Sequence, residues 1–280
     1  MSYQTFDLVV NDKIAHLQLN RPEAYNSMSR EFWREFPEAI RALDITAEAR
    51  VLVISSTGKH FCAGMDLEVF TQPDPDMFQG EAGRRAEAMR RLVQQLQACF
   101  SVLEDVRMPV LTAIQGGCIG GALDLVCASD MRYCTKDAFF TVKETELGMT
   151  ADLGTLQRLP QLVAPGLARE LAYTGRKMLA EEAVTSGFVN EVFDDQDQML
   201  SGVKKIAELI SQRSPLAVTG CKQMINYARD HSTADSLSYM ATWQAGMFQP
   251  ADMMQTFAAK MSGKQPDFEG LRPIKSAFTE

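Results

Sequence analysis

Met108-Pro109-Val110-Leu111-Thr112-Ala113-Ile114-Gln115-Gly116-Gly117-Cys118-Ile119-Gly120-Gly121-Ala122-Leu123-Asp124 is the stretch whose reading decides the fold. Its first half is an apolar run bounded by proline and then glycine, the pattern of a short buried strand. From Ala122 to Ala128 the chain reads as a buried helix, which puts Gly120 and Gly121 near the first helical turn. Backbone N–H groups at a helix start are unpaired, carry partial positive charge and can hold a developing oxyanion. Glycine there lets a ligand come close to the main chain. Asp124 closes the run, and a carboxylate in such apolar company has its charged form disfavoured, which raises its pKa toward the range of a proton shuttle.

A second turn of the same kind follows an earlier apolar run. Val51-Leu52-Val53-Ile54-Ser55 leads into Thr57-Gly58-Lys59-His60-Phe61-Cys62-Ala63-Gly64-Met65-Asp66-Leu67. Two such turns can each offer one amide to the same oxygen, as a thioester enolate requires. Downstream, Glu144 and Asp152 bracket Thr145-Glu146-Leu147-Gly148-Met149-Thr150-Ala151. Any one of these three acids, taken alone, reads as well as a helix cap or half of an ion pair. Together they point to proton-transfer chemistry.

His60 to Leu67, Gly116 to Leu125 and Ala128-Ser129-Asp130-Met131-Arg132 resemble the enoyl-CoA hydratase/isomerase (crotonase) superfamily, as does Leu19-Asn20-Arg21-Pro22-Glu23-Ala24-Tyr25-Asn26-Ser27-Met28. The likeness runs from about residue 5 to about 230, with the motifs in family order. It implies an α/β fold built as a spiral of β-β-α units. It also implies an acyl-CoA thioester substrate whose carbonyl oxygen lies between the amides of Met65 and Gly121, with Ala63, Gly64, Asp66, Leu67 and Gly120 lining the binding site. Coenzyme A then enters as part of the substrate, with no separate cofactor. Ala122 departs from the family pattern, where a third glycine often stands; a tighter pocket is the expected consequence.

The acids narrow the choice. The hydratases carry glutamates at both catalytic positions, whereas this chain has Asp124 at the first and Glu144 at the second. Asp124, Lys143-Glu144 and Ala151-Asp152-Leu153-Gly154 resemble the dienoyl-CoA isomerases, and Met131 to Phe140 and Thr174 to Met178 add to that likeness. A 3,5-dienoyl to 2,4-dienoyl shift needs a proton removed at C2 and another delivered at C6. On this reading Glu144 serves C2, Asp152 serves C6 and Asp124 positions or polarises Glu144. A hydratase, adding water to a 2-enoyl-CoA, and a non-catalytic acyl-CoA-binding protein are the alternatives. A dinucleotide-dependent oxidoreductase is disfavoured, because Cys118 stands where the second glycine of G-x-G-x-x-G belongs, and no G-x-S-x-G supports a serine hydrolase.

Composition sets outer bounds. A length of 280 residues suffices for a sizeable core, and a net charge of −8 argues against nucleic-acid binding. It also leaves the coenzyme A phosphates to local cations, for which Arg21, Lys59, Lys260 and Lys264 are candidates. No apolar run reaches membrane-spanning length. The six cysteines form no Cys-x-x-Cys pair and read as reduced core thiols; His16, His60 and His231 give no metal spacing. His60 is expected to pack or hydrogen-bond. The opening Met1 to Asp7 lacks the features of a signal peptide, and Ser276 to Glu280 is not a Ser-Lys-Leu address, so the cytoplasm is the expected location.

Phe6 to Leu19 alternates around Asn11-Asp12-Lys13 as a hairpin, Ser29 is placed to cap a helix reaching Leu43, and Ala82 to Leu103 keeps helical apolar spacing. The irregular segment from Phe70 to Gly80 is expected to border the acyl pocket. Beyond residue 195 the pattern becomes wholly helical. The chain therefore divides into a spiral core with the acyl-CoA site, 1–195, and a helical region, 196–280. The resemblance makes that region the one that assembles subunits into homotrimers or hexamers, and its Met240, Met247, Met253, Met254 and Met261 fit an interface or a core.

Overall fold

A computed structural model describes residues 3–72 and 79–275. The hairpin forms as its pattern dictates. β1 (Phe6–Asn11) and β2 (Ile14–Leu19) pair antiparallel across Asp12 and Lys13, both at positive φ, as a tight hairpin turn requires. α1 (Arg30–Thr46) starts at Ser29, but the Ser29 hydroxyl donates to the Glu31 carboxylate and caps no backbone N–H. β3 (Val51–Ser56) runs parallel to β2 and is buried along its whole length, as expected of a strand covered on both faces.

α2 (Leu67–Thr71) and α3 (Ala82–Asp105) follow, the latter buried only from Cys99 onward. β4 (Val110–Ile114) pairs parallel to β3. The glycine run then departs from the simple strand-to-helix turn expected of it, because β5 (Gly117–Ile119) intervenes before α4 (Gly121–Cys127). The cause is close packing against the first loop: Phe61 N–H donates to Gln115 O and Cys62 N–H to Gly117 O. β6 (Met131–Thr135) extends the main sheet, while β7 (Phe139–Thr141) pairs parallel to β5. A 3-10 turn, Glu144–Leu147, precedes α5 (Thr155–Leu162) and α6 (Pro165–Thr174); β8 (Met178–Leu179), α7 (Ala180–Thr185) and β9 (Glu191–Phe193) complete the sheets.

The result is a six-stranded sheet in the order β1-β2-β3-β4-β6-β9 and a smaller sheet in the order β5-β7-β8. One face of the large sheet packs on α1, α3 and α4 through Leu17, Phe36, Ile40, Leu52, Phe100 and Leu123. The other face carries Val51, Val53, Leu111, Ala113 and Tyr133, and is covered by Met199, Val203 and Ala207 of α8 (Gln196–Ser211). The composition change at 195 therefore does not coincide with a break in packing, since α8 closes the second core.

α9 (Pro215–Asp230) returns to the body of the fold through buried Lys222, which donates to Leu103 O, Met108 O and Asp130. α10 (Thr233–Met247) buries no residue and α11 (Pro250–Ser262) only Ala259. All six cysteines are unpaired, five of them buried. Among the described residues no helix is long and apolar enough to cross a membrane. Residues 73–78, the middle of the segment expected to border the acyl pocket, lie outside the described residues.

Candidate active site

The two glycine turns meet. A Cβ on Gly64, which sits at φ +86, would lie 2.6 Å from Ile119 O and 3.2 Å from Gly121 N; one on Gly121 would lie 3.7 Å from Met65 N. The Met65 and Gly121 amides are thus side by side, and among the described residues neither N–H donates to a protein acceptor. Several neighbours are engaged: Ala63 N–H donates to Tyr25 O, Gly64 O accepts from Met28, Gly120 N–H donates to Thr141 O, and Asp66 N–H donates to Met28 O. Two idle donors side by side have the geometry to hold an anionic oxygen.

The acids converge on the same place from three elements. Asp124, on the first turn of α4, is wholly buried; its Oδ1 accepts from the Thr155 N–H at 2.6 Å, capping α5 from across the site, while its Oδ2 has no partner. Burial pushes its carboxyl up to about 7, with the charges of Glu144 and Asp152 adding to the rise. Glu144 opens the 3-10 turn and lies against Gly120, where a Cβ would stand 3.3 Å from its Oε1; its Oε2 is buried without a partner. Burial raises its pKa, and the charge of Asp152 raises it further.

Asp152 lies on the connection into α5, between buried Ala151 and Leu153, and burial raises its pKa too. The helix-cap reading of Asp152 does not hold. Gly154 occupies the N-cap of α5, and the side chain that accepts from the helix start is that of Asp124. Glu146, two residues after Glu144, pairs instead with Lys143.

Other residues singled out from the sequence take different positions. The Asp66 carboxylate is consumed by its own loop. It caps α2 at Glu68, accepts 2.8 Å from the Ser27 hydroxyl and faces Arg21 at 3.4 Å, and these bonds, Ser27 first, hold its pKa down. Arg21 is correspondingly tied to Asp66 and to Ser27 O. Asp66 and Arg21 therefore organise the turn and do not present free charge to a ligand. Leu67 is 75% exposed beside the turn, an apolar side chain without a core.

Lys59, Lys260 and Lys264 are exposed. His60 does pack and hydrogen-bond: its Nδ1 accepts from the Gly117 N–H, and desolvation, then Lys59, lower its pKa. Among the described residues no group of acids, cysteines and histidines is arranged to hold a metal ion.

A two-sheet α/β spiral that brings two glycine turns together under a helix start, with a helical region at its end, is the crotonase fold. The model of the enoyl-CoA hydratase/isomerase family matches residues 10–271, and the chain belongs to that family. It is 44% identical over 266 residues to the mitochondrial Delta(3,5)-Delta(2,4)-dienoyl-CoA isomerase of Mus musculus, covering 93% of this chain and 80% of that one. It is 40% identical over 274 residues to the peroxisomal Delta(3,5)-Delta(2,4)-dienoyl-CoA isomerase of Arabidopsis thaliana, covering 96% and 99%. The crystal structure of an enoyl-CoA hydratase from Bacillus anthracis superposes with a TM-score of 0.86 at 27% identity, over 96% of this chain and all of that one. The relatives' mitochondrial and peroxisomal names overturn the cytoplasmic expectation, which rested only on the absence of recognisable addresses at the two ends of the sequence.

Proposed function

We propose that the chain is an isomerase that converts a 3,5-dienoyl-CoA to the 2,4-dienoyl-CoA, without a separate cofactor. The observation that carries this reading is the third acid. The charge of Asp152 reaches both Glu144 and Asp124, and Asp152 caps no helix, whereas hydration of a 2-enoyl-CoA has work for two acids only. The names of the relatives at 40–44% identity agree with it.

In the proposed reaction the thioester oxygen accepts from the Met65 and Gly121 amides. Glu144 removes the C2 proton, the electron pair moves through the chain of double bonds, and Asp152 delivers a proton to C6. The dienolate formed between the two steps keeps its charge on the oxygen held by the amides. Glu144 ends protonated and Asp152 ionised, so the pair resets by one proton exchange before the next turnover. Raised pKa values suit both acids to this task, because one must be ionised and the other protonated at the same pH. Asp124 anchors the start of α5 through Thr155, close enough to Glu144 to feel its charge. Ala63, Gly64, Leu67 and Gly120 line the thioester site by their backbone or apolar surface.

The test is an ultraviolet assay of the purified protein on 3,5-dienoyl-CoA and 2-enoyl-CoA side by side, with Asp152→Asn compared. The variant is expected to lose about 10²–10⁴-fold in dienoyl turnover while still exchanging the C2 proton with solvent deuterium. Glu144→Gln should lose both. Full dienoyl isomerisation by Asp152→Asn would refute the assignment, and water addition untouched by that change would favour the hydratase.

We also propose that α9, α10 and α11 assemble the chain into a homotrimer or hexamer. Ile225, Leu237, Met254, Phe257 and Met261 are each more than half exposed on these helices, an apolar surface in search of a second subunit.

A further inference from the structure

We infer that Gln97 is a positioning residue for the C6 proton donor. This rests on the proposed isomerase reading, which gives Asp152 that role. Gln97, Ser101 and Glu104 recur on α3 at intervals of four and three residues, which puts them on one face of the helix. All three bond to the segment that carries Asp152. Gln97 Nε2 donates to Asp152 O at 2.7 Å; Ser101 Oγ accepts from Arg158 at 3.0 Å; Glu104 accepts from Arg158 Nε at 3.0 Å.

The stripe therefore holds α5 and the loop ahead of it from one side, while Asp124 holds Thr155 from the other. Within it Gln97 alone touches Asp152 itself. It does so at the main-chain carbonyl, leaving the carboxyl free to move a proton.

Proton transfer to a remote carbon depends on a donor held within hydrogen-bond reach of it, so the consequence of losing this bond is specific. Gln97→Met keeps length and bulk and removes the donor. It is expected to lower kcat for the dienoyl-CoA about tenfold, the effect of one lost hydrogen bond, with KM within about twofold. Exchange of the C2 proton should continue at the wild-type rate, because Glu144 is held by a different turn. Gln97→Lys, which restores a donor of sufficient reach, should recover most of the loss. In an Asp152→Asn background Gln97→Met should cost nothing further, since the group it positions is gone.

Unchanged kcat in Gln97→Met overturns the inference. So does a parallel fall of exchange and turnover, which marks a general loosening of the site, or a full additional loss on top of Asp152→Asn. Failure of the wild type to isomerise the dienoyl-CoA at all would instead remove the functional reading beneath it.

Discussion

Asp124 makes the site's electrostatics measurable without any substrate. Its carboxyl is raised from the ordinary 3.8 to about 7, by burial first. The folded state thus binds a proton that the unfolded chain has already released between about pH 4 and pH 7. Stability contributed by the neutral acid is complete below the unfolded pKa and is lost as pH climbs to the folded one. At about 1.4 kcal/mol per pH unit, the whole window amounts to about 4 kcal/mol. Asp124→Asn keeps an oxygen for the Thr155 N–H but cannot ionise. Urea unfolding of both proteins at one fixed concentration, at pH 5, 6, 7 and 8, is the assay. The variant should gain on the wild type by up to about 1.4 kcal/mol per pH unit as far as pH 7 and then level off. A stability difference that stays flat from pH 5 to 8 would mean that Asp124 titrates as an ordinary exposed acid, and the reasoning would fail.

Two further outcomes test the geometry. Gly64→Ala forces a Cβ to within 2.6 Å of Ile119 O at a φ of +86, so it should part the two turns; turnover should fall about 10²–10³-fold, as when an oxyanion donor is lost, while circular dichroism shows the fold retained. Sedimentation should give a closed assembly of three or six chains, and Phe257→Glu together with Leu237→Glu should dissociate it; a stable monomer in the wild type would refute the assembly.

Most of the architecture was legible because it is written in local pattern. The apolar runs Val51 to Ser55 and Val110 to Ile114 became fully buried parallel strands, and the alternation around Asp12-Lys13 became the hairpin. β5 escaped because Gly117-Cys118-Ile119 is too short to show a period and exists only through its partners, the first loop and β7. The helical pattern after 195 was legible, but its first helix packs as core, since burial of Met199, Val203 and Ala207 depends on a sheet face assembled elsewhere.

In the site, the residue types and their order marked Asp124, Glu144 and Asp152 as candidates, and the structure places them within reach of one another's charge. It could not be read from sequence that Asp66 is spent on Ser27, Glu68 and Arg21, or that Asp124 caps a helix 31 residues away. Gln97 left no signal at all, because a glutamine on the polar side of an amphipathic helix looks like any solvated residue until the loop it bonds is folded against it.

What remains is why the fold tolerates the arrangement. Among the described residues, four buried side-chain polar atoms lack a hydrogen-bond partner, and two of them are Asp124 Oδ2 and Glu144 Oε2. Each such atom costs about 1–3 kcal/mol, and a fold selected for stability alone would have given them donors. In the same site the Met65 and Gly121 amides also stand idle. Pairing them with the carboxylates would satisfy both sets and extinguish the site, because the amides would no longer be free for an enolate oxygen and the acids would be locked ionised. Gly64, Gly120 and Gly121 keep the backbone close while offering no side chain to fill the gap. Unpaired donors and unpaired acceptors therefore persist around one small volume, and a ligand that brings both an anionic oxygen and an acidic C–H satisfies them together.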